Sequence, residues 1–173
     1  MAASFKTNLP LVALFSSLCL ILSTAAQAAT GYESGHTALE VWNAEGQANA
    51  PQWVQIWLMI MLASFALGLL FVWKRVEARW VVGGFITAIL ISRLGIPAMG
   101  IVKLSGLVAL VHLIFWSPAL YLLLKNRPFM NERSLYAVWS GLITAVILFS
   151  FIFDIRDAAI YLDHVMGLGM LSA

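Results

Sequence analysis

The chain has 173 residues, of which 62% are hydrophobic and 10% charged, with a formal net charge of +2 and a mean hydropathy of +0.92. Soluble domains carry about 25% charged residues, so the apolar excess has to face lipid. The few Lys and Arg lie beside apolar blocks and form no basic patch, which excludes nucleic acid as a partner. A single cysteine, Cys19, excludes a disulfide framework.

Residues 1–28 place one basic residue, Lys6, before an apolar run that closes on Ala26-Gln27-Ala28. That order of basic, apolar and small-x-small segments predicts a cleavable signal peptide, with an uncleaved first anchor as the alternative. Cys19 follows Leu18 and so lacks the small residue that a lipoprotein site needs. The mature chain then has no thiol. Residues 29–52 form a short polar arm outside the membrane, carrying Glu33, His36, Glu40 and Glu45. Within it, residues 38–43 (ALEVWN) are expected to make a turn or two of helix.

From Trp53 the apolar pattern becomes continuous. Residues 53–73 hold no charge and are long enough to cross a hydrocarbon core of about 30 Å at 1.5 Å per residue. Trp53, Trp57 and Trp73 stand where interfacial anchors belong. Further spans are predicted at about 80–99, 104–124 and 135–153, followed by an extracytoplasmic tail, 154–173, with helix as its alternative to an irregular course. The fold class is therefore an all-α membrane protein, a cleavable signal peptide followed by a four-helix transmembrane bundle. The segments 74–79 and 125–133 contain six of the nine Lys and Arg that remain once Lys6 is removed from the ten. Basic loops stay in the cytoplasm, which puts both mature termini outside. The style of the signal points to a bacterial inner membrane. Pairs of small residues (Ser64 and Gly68; Gly84, Ala88 and Ser92; Gly141 and Ala145) mark close helix contacts, within the chain or with another subunit.

The stretch 91–116 is apolar yet carries Arg93, Pro97, Lys103 and His112. An ionised group at a helix centre in a bilayer costs about 2.5–3.5 kcal/mol even on lenient scales, so each one needs compensation. Counting by helical rise, Arg93 lies about 10 Å and His112 about 12 Å below the same boundary. They are level with one another. Pro97 is expected to bend or end the second span just past Arg93. If the last helix continues, Asp154, Asp157, Tyr161 and His164 share one of its faces. Arg93 is then expected to pair with Asp154 or Asp157, as a clamp between the second and fourth spans or as part of a path for an ion or substrate. The polar cluster is Arg93, His112, Asp154 and Asp157.

Other chemistry is thinner. His112 in a bundle invites a b-type haem, but a second axial histidine is lacking at its depth, the others being His36 and His164. A hydrogen bond from His112 to Ser92 or Thr144 is the simpler expectation. His164 and Met166, with Met170 and Met99 as further donors, are candidate ligands for Cu(I). Hydrolase, zinc-protease and phosphate-loop motifs are absent, and Gly-Leu-Gly at 167–169 has no strand before it.

The sequence is thus read as a small polytopic inner-membrane protein. The expected role is a non-catalytic accessory or assembly subunit of an envelope or electron-transport complex, without a cofactor. Its expected partners are the lipid bilayer and either other membrane subunits or copies of itself. The rivals are a small oligomeric transporter or ion conductor using Arg93, His112 and Asp154/Asp157, and a b-haem or quinone-linked redox module centred on His112.

Overall fold

The computed structural model describes residues 38–171. The expected signal peptide, Cys19 and His36 lie outside them. The described chain is helical: α1 Ala44–Asn49, α2 Gln52–Leu67 with a 3-10 turn Gly68–Leu70, α3 Val76–Leu90, α4 Ile96–Ala98, α5 Ser105–Asn126, α6 Pro128–Asn131 and α7 Leu135–Met166. Four helical stretches are long and apolar enough to cross a membrane: Gln52–Leu70, Val76–Ala98, Ser105–Asn131 and Leu135–Met166. They run up and down in sequence. One end of the bundle carries the basic loops, and the other carries residues 38–51 and the 99–104 loop.

The expected spans recur with shifted limits. The second begins at Val76 instead of about residue 80, and the last helix continues to Met166, thirteen residues past 153. Charged residues from Asp154 onward read as a tail because they end the apolar run, yet they do not break a helix. What stops it is local. Gly167 adopts φ 66°, its N–H meets the carbonyls of Asp163 and His164, and the Asp163 carboxylate accepts from the N–H groups of Met170 and Leu171 at 3.0 and 3.1 Å. A left-handed glycine just past the last turn is the ordinary helix stop, so the glycine at 167 has a structural role. Ser134 caps the other end, its Oγ accepting from Ala137 N–H at 3.2 Å.

The arm also differs from expectation. Residues 38–43 are not helical; helix α1 follows them, with Asn43 as its cap. Val41 instead forms an antiparallel bridge with Leu104. Trp42 N–H donates to Lys103 O at 2.8 Å, Ser105 N–H to Glu40 O at 2.9 Å and Gly106 N–H to Ala38 O at 2.7 Å. The first N–H groups of any helix lack partners within it, and Leu104 has no side-chain acceptor to offer α5. Backbone carbonyls of the arm supply what a capping residue would.

Helix α7 is central. Of its most apolar stretch 56% is buried, against 22% for those of α2 and α3. Phe65, Val81, Trp116, Leu123, Ile143, Val146 and Ile147 make up the innermost layer. Phe65 stacks on Phe85 with ring centroids 4.4 Å apart, and Trp139 Nε1 donates to Ser64 O at 2.9 Å, tying α7 to α2. Because lipid tails are as apolar as the core, close van der Waals contact has to supply the association. Two glycines make it possible. A Cβ on Gly84 would stand 2.4 Å from Phe115 O, and one on Gly106 would stand 2.5 Å from Asp157 O. Helices α3 and α5, and α5 and α7, therefore touch backbone to backbone.

At the basic end, side chains lock the two loops together. The Arg75 guanidinium donates both bonds of a fork to Glu132 at 2.6 Å and lies 4.3 Å over the Tyr136 ring. Tyr136 Oη donates to Glu77 at 2.9 Å, and Asn126 Nδ2 donates to the other Glu77 oxygen at 2.6 Å.

A candidate donor-lined cavity between three helices

The residues that set the site begin with Pro97. In a regular helix its ring would collide with the carbonyl four residues back, that of Arg93. The chain avoids this by widening: Ile91–Gly95 form a π turn in which Ile96 N–H reaches back to Ile91 O. Single π turns inside α-helices are frequent at functional sites. Here Arg93 sits within the turn and is exposed on the helix surface, while its neighbour Ser92 is buried.

Beside this turn is a cavity of about 210 Å³. Helix α2 contributes Leu58, Met61 and Leu62, and α3 contributes Phe85, Ala88 and Ile89 together with Ser92 and Arg93 of the π turn. Helix α5 adds Val108, His112 and Trp116, and Lys103, Trp42 and Gln47 close the end nearest the arm. Leu62 is 54% exposed and Ile89 is 40% exposed, so the mouth lies between α2 and α3, toward lipid.

The polar residues of this cavity include two cations and two side chains whose buried polar atoms are unmet. Ser92 Oγ and Trp116 Nε1 are both buried and have no hydrogen-bond partner. Arg93 and Lys103 add two cations, and among the described residues neither makes an ion pair. Burial, and then the Arg93 guanidinium, hold the Lys103 ammonium below its ordinary pKa. Proximity of like charges on an apolar wall is costly unless an anion joins them.

His112 forms the back of the site. Its ring stacks on Trp116, one turn along α5, with centroids 4.0 Å apart and 12° between planes. Its Nδ1 stands 3.4 Å from Asp154 Oδ2 on α7. That separation is long for a hydrogen bond, and Oδ2 has no closer partner.

Of the residues the sequence singled out, the structure thus brings three together. Arg93 and His112 line one cavity, and Asp154 meets His112. The expected clamp from Arg93 to an acid does not form: among the described residues no ion pair joins Arg93 to Asp154 or to Asp157. The expected hydrogen bonds of His112 are also replaced, since Ser92 Oγ is unmet and Thr144 Oγ1 donates to Ser140 O at 2.6 Å. Asp157 lies one turn beyond Asp154, where its carbonyl packs on Gly106. His164 and Met166 are exposed at the end of α7, and no group of three His, Cys, Asp or Glu side chains placed to hold a metal occurs among the described residues. Sequence reasoning missed Trp116 as part of the site. The signal was its spacing, four residues from His112 on a helix. No protein-family model, curated protein or solved structure matches this chain.

Proposed function

We propose that this chain is a non-catalytic accessory or assembly subunit of a larger envelope or electron-transport complex in a bacterial inner membrane. The observation that supports this reading is the locked basic end. Side chains from residues 75–77 and 126–136 converge in the network of Arg75, Glu77, Asn126, Glu132 and Tyr136, which ties the two basic loops together. Around it stand exposed Lys74, Lys125, Arg127 and Arg133. Trp73 and Met130 are 86% and 69% exposed. A fixed cationic face with apolar groups on it suits an acidic loop of another subunit, charge complementarity setting choice of partner and register. The bias of basic residues assigns this face to the cytoplasm and both mature termini to the opposite side.

A photo-crosslinking residue at position 130 of the full chain tests the proposal in cells. One discrete membrane partner should be captured. Capture should fail with Lys125→Glu/Arg127→Glu while the chain still inserts. A chain that purifies alone and carries ions into liposomes would replace this reading with the transport one, and a haem absorption band would replace it with the redox one.

A further inference from the structure

The cavity between α2, α3 and α5 carries two cations. Arg93 is a cation on the lipid-facing surface of the π turn, flanked by Leu90 and Leu94, which are 50% and 64% exposed. Lys103 reaches the same space from the 99–104 loop. Ser92 and Trp116, 9% and 1% exposed, stand in its wall with their polar atoms closed off from the open space. Two cations beside one space, neither paired with an acid among the described residues, call for a group rich in anionic oxygens. Phosphate has that chemistry, since it accepts several charge-assisted hydrogen bonds at once. The mouth between Leu62 and Ile89 is apolar and faces lipid, so the group that enters is one attached to a hydrocarbon tail.

We propose that this cavity is a binding site for an anionic phospholipid: Arg93 and Lys103 hold the phosphate, and the acyl chain leaves between α2 and α3. The site lies at the end of the bundle away from the locked loops. It stands whether or not those loops dock a partner.

The test uses the full chain, delipidated in mild detergent and returned to bilayers of phosphatidylcholine with a minor share of phosphatidylglycerol. Native mass spectrometry after re-extraction reads which lipid is retained. One phosphatidylglycerol per chain should survive, and Arg93→Gln/Lys103→Gln should lower its retention by roughly tenfold or more, each cation near a lipid phosphate contributing about 1 kcal/mol. Lys74→Gln, at the other end, should leave retention unchanged. If the double variant does not fold, Lys103→Gln alone carries the test, since it lies in a loop and its substitution should still lower retention severalfold. Quenching of tryptophan fluorescence by phosphatidylglycerol brominated on its acyl chain gives a second reading, and it should weaken in the same variants. Equal retention of phosphatidylcholine and phosphatidylglycerol would overturn the proposal in favour of unselective snorkelling. Displacement of the lipid by millimolar inorganic phosphate, with phosphate alone stabilising the protein as well, would overturn it in favour of a soluble anion.

Discussion

His112 and Asp154 face each other across α5 and α7, with Nδ1 and Oδ2 3.4 Å apart. The pair gives the last helix a polar tie to α5 at the depth where Arg93 and His112 share a cavity wall. Intramembrane polar pairs are worth less than their burial implies, because the unfolded chain in a membrane also finds partners: double-mutant cycles average about 0.6 kcal/mol, with a maximum of about 1.7.

That magnitude sets the first prediction. His112→Leu and Asp154→Leu should each destabilise the bundle in detergent, and the double variant should cost less than the sum of the two by about 0.6–1.7 kcal/mol. Additive costs would mean that the two groups are satisfied separately. Arg93→Leu combined with Asp154→Leu should be additive, because no ion pair joins those residues.

Two adjacent glycines supply a second prediction, each serving as the other's control. A Cβ on Gly84 meets Phe115 O at 2.4 Å, whereas one on Gly83 meets nothing within 4 Å. Gly84→Ala must push two helix backbones apart and should cost about 1–3 kcal/mol. Gly83→Ala should be neutral or slightly stabilising, since alanine is the better helix former by roughly 1 kcal/mol. Gly106→Ala belongs with Gly84→Ala, its Cβ meeting Asp157 O at 2.5 Å and Tyr161 Cβ at 2.6 Å. Unfolding by titrated denaturing detergent ranks the three. A Gly83→Ala cost equal to that of Gly84→Ala would contradict the packing.

What could be read beforehand divides by the kind of signal. The four spans were legible because membrane thickness fixes the length of an apolar run, and that length survives in the sequence. The shared level of Arg93 and His112 was legible for the same reason, since helical rise converts residue counts into depth. Rotation of one helix against another was not. In a soluble helix the apolar stripe marks the inward face, but here lipid-facing Leu90 and core-facing Val81 are equally apolar. Hence Asp154 could not be recognised as the neighbour of His112, and Arg93 was assigned a partner by charge alone. The bridge between the arm and α5 left no trace for another reason: it is made by backbone groups that every residue possesses.

Lys103 carries a prediction about pH. It lies between the spans, and burial followed by the Arg93 charge lowers its pKa from 10.5. The folded chain therefore releases this proton before the unfolded chain does. In the interval just below pH 10.5 the unfolded state binds more protons, and stability rises with pH. Thermal unfolding of the wild type relative to Lys103→Met, in detergent without anionic lipid, should show the wild type gaining as pH climbs into that interval. A difference that stays flat, or falls, would show that the ammonium is not disfavoured by its surroundings.

Orientation gives the last prediction. The proposed topology assigns the basic end to the cytoplasm. With Cys19 replaced by Ser, single cysteines at Asn131 and Leu168, both exposed, should react oppositely to an impermeant thiol reagent applied to intact cells. Leu168→Cys should label from outside, and Asn131→Cys only after lysis. The reverse pattern would invert the topology and move the proposed docking face to the other compartment.

The bridge between residues 38–42 and 103–106 also bears on the order of assembly. It closes a ring of chain that contains the whole of α2 and α3. Neither strand of the bridge can find the other until both of those helices have crossed and the start of α5 has emerged on the arm's side. The ring is therefore a late event, formed against the closure entropy of more than sixty residues. Slow amide exchange at Ser105 and Gly106 then acts as a timestamp: it begins only when the first half of the bundle is complete.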